Sequence, residues 1–306
     1  MIRKKLELRE ERDFGQKFNA VFTFVQTNFK SFIKVIGLTV GPLALIGGFF
    51  FGLFYSKIFG MMRSATGGDI PEVFGVGVDI LIACLFLMLA SLWMVIAVYA
   101  FMAEYADGNE NITIEAVWKR GKGKIIPTIG FIFLIVVAIS MFVGLVIVLP
   151  GNDIGLVVAF KILLAFVVLF YVTFTLMLVL PDMVIEGSGV FESIERSFVL
   201  IRGKWWSTFG LYFVMNLISG FATYIFAIPL YIALVITILL QTSAGETLTV
   251  IGSCIMFLGQ FLMMTLPILA IGFQYFNLVE RKEATGLLKK IDQLGKRVNT
   301  TEEGRF

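Results

Sequence analysis

The side chains that could do chemistry in this sequence are carboxylates, and they lie in polar segments between long apolar runs. Glu192 and Glu195 are three residues apart, as are Asp107 and Glu110, so either pair could act as a general acid and base. Histidine is absent from all 306 residues, which excludes Ser-His-Asp and Cys-His nucleophiles and histidine-ligated metals. Because surface helices normally carry acidic residues for solvation, we predict no catalytic residue and no enzymatic activity.

Neither a metal nor a cofactor is expected. The two cysteines, Cys84 and Cys254, fall inside apolar runs, and two isolated cysteines cannot complete a four-ligand zinc site. They are expected to be small buried apolar residues, with a disulfide as the alternative. Gly203-Lys204 followed by Thr208 looks like part of a phosphate-binding loop, but the required spacing G-x-x-x-x-G-K-[ST] is absent.

The composition is that of an integral membrane protein. Hydrophobic residues make up 58% of the chain and charged residues 15%, whereas soluble domains have about 45–50% and about 25%. The net charge of +3 is too small to indicate nucleic-acid binding. We therefore expect the apolar runs to lie in a bilayer.

The uncharged runs predict an all-α fold with six transmembrane helices, since about 20 apolar residues cross the hydrocarbon core. Gly37/Gly41 and Gly48/Gly52 are small residues four apart, which permits close helix packing. The fifth run is either one span kinked at Pro229 or a span followed by an interfacial segment. The predicted spans are about 35–56, 80–103, 125–149, 156–180, 205–228 with an extension to 240, and 248–278.

The remaining segments are charged. Residues 1–34 comprise an N-terminus that is loose up to Asp13 and an amphipathic helix, residues 35–278 form the membrane domain, and residues 279–306 form an amphipathic tail. The helix from Phe14 either packs on the bundle or lies in the membrane plane, with Lys17 outside its apolar stripe. The N-terminal segment, residues 104–124, residues 181–204 and the tail hold 22 of the 25 Lys and Arg residues. These segments, and hence both termini, are therefore predicted to be cytoplasmic.

The stretch from Pro181 to Gly210 organises the rest of the chain. Its apolar residues recur every three or four positions, which predicts a helix with one apolar stripe lying in the membrane surface. Tryptophan is typical of headgroup level, and each basic residue near an anionic leaflet contributes about 1 kcal/mol. The stripe is Phe191, Ile194, Phe198, Ile201 and Trp205. The candidate headgroup or partner contacts are Lys122, Lys124, Arg196, Arg202, Lys204, Trp205 and Trp206, although basic residues here are also ordinary topology determinants.

An internal repeat connects this stretch to an earlier one. Shifted by 80 residues, Ile114–Gly130 overlies Ile194–Gly210 with six of 17 positions identical, including the core G-K-x-x-x-T-x-G. Asp107-Gly108 and Glu186-Gly187 occupy similar upstream places. A duplicated two-span unit keeps its orientation in the membrane, so the repeats are parallel. The predicted architecture is three pseudo-repeated hairpins, each preceded by a cytoplasmic-face amphipathic helix.

The same stretch resembles a known family. The residues that carry the resemblance are Glu186-Gly187, Glu192, Arg196-Ser197-Phe198, Gly203, Trp205-Trp206 and Gly210. They look like the pattern of bacterial multi-pass inner-membrane proteins that include the membrane domain attached to some glycerophosphodiester phosphodiesterases. The resemblance implies a membrane domain in a bacterial inner membrane. The diesterase activity is not carried over, because this chain lacks the catalytic barrel.

Two non-enzymatic functions are compatible with these patterns. The first is an inner-membrane scaffold or accessory subunit that interacts with lipid headgroups or another membrane protein. The alternative is a transporter or channel for a small or lipidic solute, with Asn216, Gln260 and Gln274 as its polar candidates. Coupled transport usually needs ionisable groups within the membrane, and the predicted span centres have none. We therefore predict the scaffold.

Overall fold

The computed structural model describes residues 6–64, 72–109, 111–148, 155–240 and 243–284, and these residues form helices and short connections. The helices are α1 Phe14–Thr39, α2 Gly41–Ser64, α3 Glu72–Ala106, α4 Ile114–Gly121, α5 Ile125–Val148, α6 Gly155–Leu176, α7 Val179–Pro181, α8 Val190–Ile201, α9 Trp205–Leu240 and α10 Ser243–Glu283. A 3₁₀ turn, Lys122–Lys124, precedes α5, and a π-helical segment, Asp182–Glu186, follows α7.

Within the described part of the chain, six helical segments are long and apolar enough to cross a membrane, which confirms the predicted all-α fold with six spans. They are Gly41–Ile58, Gly75–Ala106, Ile114–Val146, Val157–Glu186, Trp205–Thr237 and Gly245–Glu283.

The start of the first predicted span lies on α1 in the structure. The prediction started it at Val35, but the structure keeps Val35 on α1 and divides the helices at Val40. Pro42 lies in the first turn of α2, where its missing N–H costs no hydrogen bond. The Val40 N–H still donates to the Ile36 carbonyl over 2.8 Å, so α2 follows α1 almost without interruption.

The fifth apolar run forms helix α9. It is one α-helix of 36 residues that continues through Pro229 to Leu240. At 1.5 Å per residue it is about 54 Å long, whereas the hydrocarbon core is about 30 Å thick. A helix of this length must tilt or extend beyond the core.

Glycines set the closest helix contacts. A Cβ at Gly252 of α10 would lie 2.6 Å from the Leu230 Cα of α9, so a side chain there would separate the helices. On α2, a Cβ at Gly52 would lie 2.6 Å from the Val250 Cα of α10, and Gly48 makes a similar approach. The predicted packing role of Gly48/Gly52 is therefore confirmed. Gly37 and Gly41 have no close approach, so the same prediction was wrong for that pair.

Helix α1 packs on the bundle. Val21 and Phe24 are fully buried, and the Phe24 ring makes edge contacts with Phe101 of α3 and Phe273 of α10. Packing of this segment against the protein is therefore observed, and its placement relative to the membrane plane stays a prediction. Lys17 is also buried, with 3% of its surface exposed, so its predicted place on the polar side was wrong.

The N-terminal segment before α1 is held in place from Leu6 onwards, contrary to the expectation that it is loose. The Leu6 N–H donates to the Tyr105 hydroxyl over 2.9 Å, and Leu8 is buried. The Arg9 guanidinium forms an ion pair with Glu186 at 3.0 Å. These contacts attach the segment to both α3 and the π-helical segment.

The hairpin of α5 and α6 is largely exposed, although α6 contacts α9 through Phe174 and Trp205. Few side chains of the Ile114–Val146 segment are buried, and among the described side chains of α5 the buried ones are Thr128 and Phe131. Phe174 and Thr175 are buried at the other end of the hairpin, on α6. Most of the other described side chains of the hairpin are apolar and are exposed or half-buried.

The two parts of the predicted repeat share a local design. Gly108 after α3 and Gly187 after the π-helical segment both have positive φ, at 99° and 86°, and each precedes a short helix. The elbows after the short helices differ, because Gly203 has φ 79° whereas Gly123 lies in the 3₁₀ turn. The internal repeat and the in-plane placement of the short helices stay predictions.

Candidate functional site

Helix α8 packs through a different face from the predicted stripe. Its buried residues include Ser193 and Ser197, whose small side chains allow close packing. Of the stripe residues, Ile201 is buried in the protein, but Phe191 and Phe198 are 75% and 41% exposed. The aromatic part of the stripe is therefore available to a membrane surface.

Arg196 joins three elements. Its Nη1 lies 2.7 Å from Asp182 Oδ1 at the end of the fourth span, and its Nη2 lies 2.8 Å from Glu283 Oε2 at the end of α10. The Tyr275 hydroxyl donates to the same Asp182 oxygen over 2.7 Å. We call these four residues the Arg196 clamp. The guanidinium predicted to contact headgroups is thus engaged inside the protein.

A comparable ion pair occurs on α4. Arg120 lies 2.9 Å from Glu104 and 2.6 Å from Asp107, both near the end of α3. In each case an arginine on a short helix pairs with a carboxylate near the end of the preceding span, and the Arg196 clamp adds Glu283 from α10. The internal repeat does not predict this similarity, because the shift of 80 residues does not place Arg120 opposite Arg196.

Lys122 and Lys124 lie at the start of α5, away from the other candidates. Lys122 is exposed. The Lys124 ammonium donates to the Gly187 carbonyl over 2.8 Å, which connects the turn before α5 to the turn before α8.

The other four candidates come together where α8 turns into α9. Gly203 makes the turn with its positive φ, and Arg202 and Lys204 on either side of it are exposed. They border a groove of about 290 Å³, which we call the elbow groove. It is lined by Tyr171, Ile201, Arg202, Gly203, Lys204, Trp205, Trp206 and Ser207. Its lining thus includes two basic side chains and no acidic one.

The aromatic wall of the elbow groove is fixed by α6. The Trp205 indole N–H donates to the Tyr171 carbonyl over 3.1 Å, and the two rings stack with centroids 5.7 Å apart. The Phe209 ring also stacks on Trp205, with the two ring centroids 5.7 Å apart. Trp206 is 75% exposed. One indole is therefore held rigidly while its neighbour projects outward.

A buried polar network lies behind the groove. The Lys17 ammonium donates to Gln274 Oε1 over 2.7 Å and to Ser207 Oγ over 3.0 Å. Gln274 Nε2 in turn donates to Thr208 Oγ1 over 2.8 Å. Burial lowers the pKa of the Lys17 ammonium, and the carboxylate of Asp13 offsets part of this shift. The sequence identified Gln274 as a polar candidate but missed Lys17, although its i, i+4, i+7 spacing with Val21 and Phe24 places it on the buried face.

The other chemical candidates have local roles. The Glu192 carboxylate accepts a hydrogen bond from the Gly189 N–H at the start of α8, and Asp107 pairs with Arg120. The Asn216 amide donates to the Tyr212 carbonyl of its own helix. Glu110 lies outside the described residues.

Both cysteines are free thiols. Cys254 is half-buried, but Cys84 is exposed, so the expectation of burial was wrong for Cys84. Its position on α3 faces outward from the bundle.

Comparison with known proteins identifies the segment that contains the elbow groove. Residues 151–296 match the family model described as the membrane domain of glycerophosphoryl diester phosphodiesterase. Over this segment the chain is similar to that family. The match covers α6 to α10 and confirms the resemblance seen in Glu186–Gly210. No curated protein and no solved structure matches the chain.

The residues that carry the family resemblance have structural roles in this membrane domain. Gly187 and Gly203 make turns with positive φ, Glu192 caps α8, and Arg196 forms the clamp. Trp205 forms the wall of the groove. In this chain these residues attach the short helix α8 to the ends of the fourth span, α9 and α10.

Proposed function

We propose that this membrane protein is a non-enzymatic scaffold or accessory subunit that holds an anionic phospholipid headgroup in the elbow groove. The observation that supports the proposal is the lining of the groove. Arg202 and Lys204 border it, Trp205 and Trp206 form its aromatic side, and neither basic side chain forms an ion pair within the described part of the chain. Amphipathic indole rings favour the headgroup region of a bilayer.

The expected affinity difference follows from the two charges. Each basic residue near an anionic surface contributes about 1 kcal/mol, so the pair contributes about 2 kcal/mol. That corresponds to roughly a 30-fold preference for an anionic over a zwitterionic lipid. Salt should weaken the preference, since charges exposed to solvent are screened.

The proposal includes an orientation. The groove lies in one of the segments rich in Lys and Arg, and such segments are cytoplasmic by the positive-inside rule. We place the protein in a bacterial inner membrane with both termini and the groove on the cytoplasmic side. The exposed apolar surface of the α5–α6 hairpin is suited to lipid or to another membrane protein, and we propose no nucleic-acid partner.

A lipid-selectivity experiment tests the proposal. The full-length protein in detergent is mixed with equal amounts of phosphatidylglycerol and phosphatidylcholine, and retained lipids are counted by native mass spectrometry. We expect Arg202→Gln/Lys204→Gln to reduce the preference for phosphatidylglycerol roughly 30-fold. The matched control is Lys30→Gln/Lys34→Gln, which removes two exposed positive charges from α1. An equal loss in both variants would show that net charge, not the groove, selects the lipid.

A further inference from the structure

The ammonium of Lys17 is a buried cation whose direct partners are neutral. Its Nζ contacts Gln274 Oε1 and Ser207 Oγ, and within the described part of the chain it forms no salt bridge. A buried charge is costly unless it is paired, since its hydration is lost. The carboxylate of Asp13, one helical turn before Lys17, offsets that cost only partly. The site is therefore short of negative charge.

Ser207 connects this cation to the elbow groove. Its hydroxyl oxygen accepts the hydrogen bond from Lys17, and the same residue lines the groove. A hydroxyl has one hydrogen to donate as well as lone pairs that accept. Among the described contacts, the Ser207 hydrogen is not used. A Ser207 hydroxyl that accepts from an ammonium is polarised, which makes it a better donor to an anion.

We propose that Ser207 binds the phosphate of a phospholipid in the elbow groove and that Lys17 positions and polarises its hydroxyl. This inference rests on the proposed function and assigns the phosphodiester group of the lipid to a definite donor. Arg202 and Lys204 supply charge at the rim, and Ser207 supplies a directed hydrogen bond at the wall. Lys17 acts through Ser207, and the incoming phosphate supplies the negative charge that the buried ammonium lacks.

Two single substitutions test the assignment in the full-length protein. Ser207→Ala removes the donor, and Lys17→Met removes the buried charge while keeping an apolar chain of similar length. A hydrogen bond to a charged group is strong enough that each variant should bind phosphatidylglycerol roughly tenfold more weakly. Binding of phosphatidylcholine is compared in parallel. A purely structural network would lower thermal stability without changing the ratio of the two affinities.

The double variant tests the connection between the two residues. If Lys17 acts through Ser207, the double variant should lose no more than Ser207→Ala alone, because the two changes remove one interaction. Losses that multiply would refute that connection. The controls are Ser219→Ala, a buried serine three turns further along α9, and Lys30→Met, an exposed lysine on α1.

Failure of the inference and failure of the proposed function give different results. If Arg202→Gln/Lys204→Gln reduces the lipid preference but Ser207→Ala and Lys17→Met leave it unchanged, the groove binds lipid and the Ser207 assignment is wrong. If none of the variants changes the preference, both are wrong. Inorganic phosphate is added as a competitor, and we expect no displacement of the lipid. Displacement at equal concentration would show that a free anion, not a lipid, is the ligand.

Discussion

The Arg196 clamp gives the sharpest prediction about stability. Asp182 is 1% exposed, and its Oδ1 accepts from both Arg196 and Tyr275, so Arg196→Gln leaves this buried carboxylate with Tyr275 as its hydrogen-bond donor among the described residues. Removing one partner of a buried pair costs about 3–5 kcal/mol. The Arg196 side chain is 24% exposed, so we reduce the expected loss to about 2 kcal/mol for solvent screening.

The matched variant is Arg120→Gln. Its partners Glu104 and Asp107 are 15% and 58% exposed, against 1% for Asp182, so their carboxylates are better hydrated when the arginine is removed. Exposed pairs contribute about 0–1 kcal/mol, and the loss should fall in that range. Both variants are measured by thermal unfolding of the purified protein in one detergent. We expect Arg196→Gln to lower Tm by about 5 °C and Arg120→Gln by clearly less.

A double substitution separates the lost ion pair from other effects. Asp182→Asn removes the charge that Arg196→Gln leaves unpaired, so the combined variant should recover most of the lost stability. The reasoning is refuted if the two single arginine variants are equally destabilised. It is also refuted if Asp182→Asn lowers the stability of the Arg196→Gln protein by as much as it lowers the stability of the unaltered protein.

Two further predictions concern glycines, each with a matched control and each measured as Tm in the same detergent. Gly252→Ala should destabilise by about 1–3 kcal/mol, because the new methyl group meets the Leu230 backbone, whereas Gly220→Ala enters open space and should not destabilise. Gly203→Ala should cost about 1–2 kcal/mol at its positive φ, whereas its repeat counterpart Gly123→Ala should be close to neutral. Equal Tm changes for Gly252→Ala and Gly220→Ala would contradict the close packing of α9 and α10. Equal Tm changes for Gly203→Ala and Gly123→Ala would contradict the need for a positive φ at Gly203.

The long apolar helices were predictable because their signal is local. A run of about 20 uncharged residues is sufficient to indicate a span, and Gly48/Gly52 showed a packing face through spacing alone. The boundary at Val40 was less accessible, because α1 is apolar up to its last turn and continues almost directly into α2. Hydropathy alone does not distinguish a packed helix end from the start of a crossing.

The contacts that shape the groove depend on residues far apart in the sequence. Lys17 donates to Gln274, which is 257 positions away in the sequence, and Arg9 donates to Glu186, which is 177 positions away. From sequence alone, a charged residue near the start of a helix is predicted to be exposed to solvent unless its tertiary partner is known. The candidate site was therefore predicted in part: the elbow residues Arg202 to Trp206 were identified, whereas the Lys17–Ser207 connection was not.

Quenching of tryptophan fluorescence by brominated lipids tests the occupant of the groove most directly. In a Trp93→Phe/Trp118→Phe protein the remaining indoles are Trp205 and Trp206, both in the lining of the elbow groove. The protein is reconstituted with brominated phosphatidylglycerol or brominated phosphatidylcholine at equal mole fraction. We predict stronger quenching by the anionic lipid, and that difference should shrink at high salt. Equal quenching by both lipids would contradict the proposal that the groove selects an anionic headgroup.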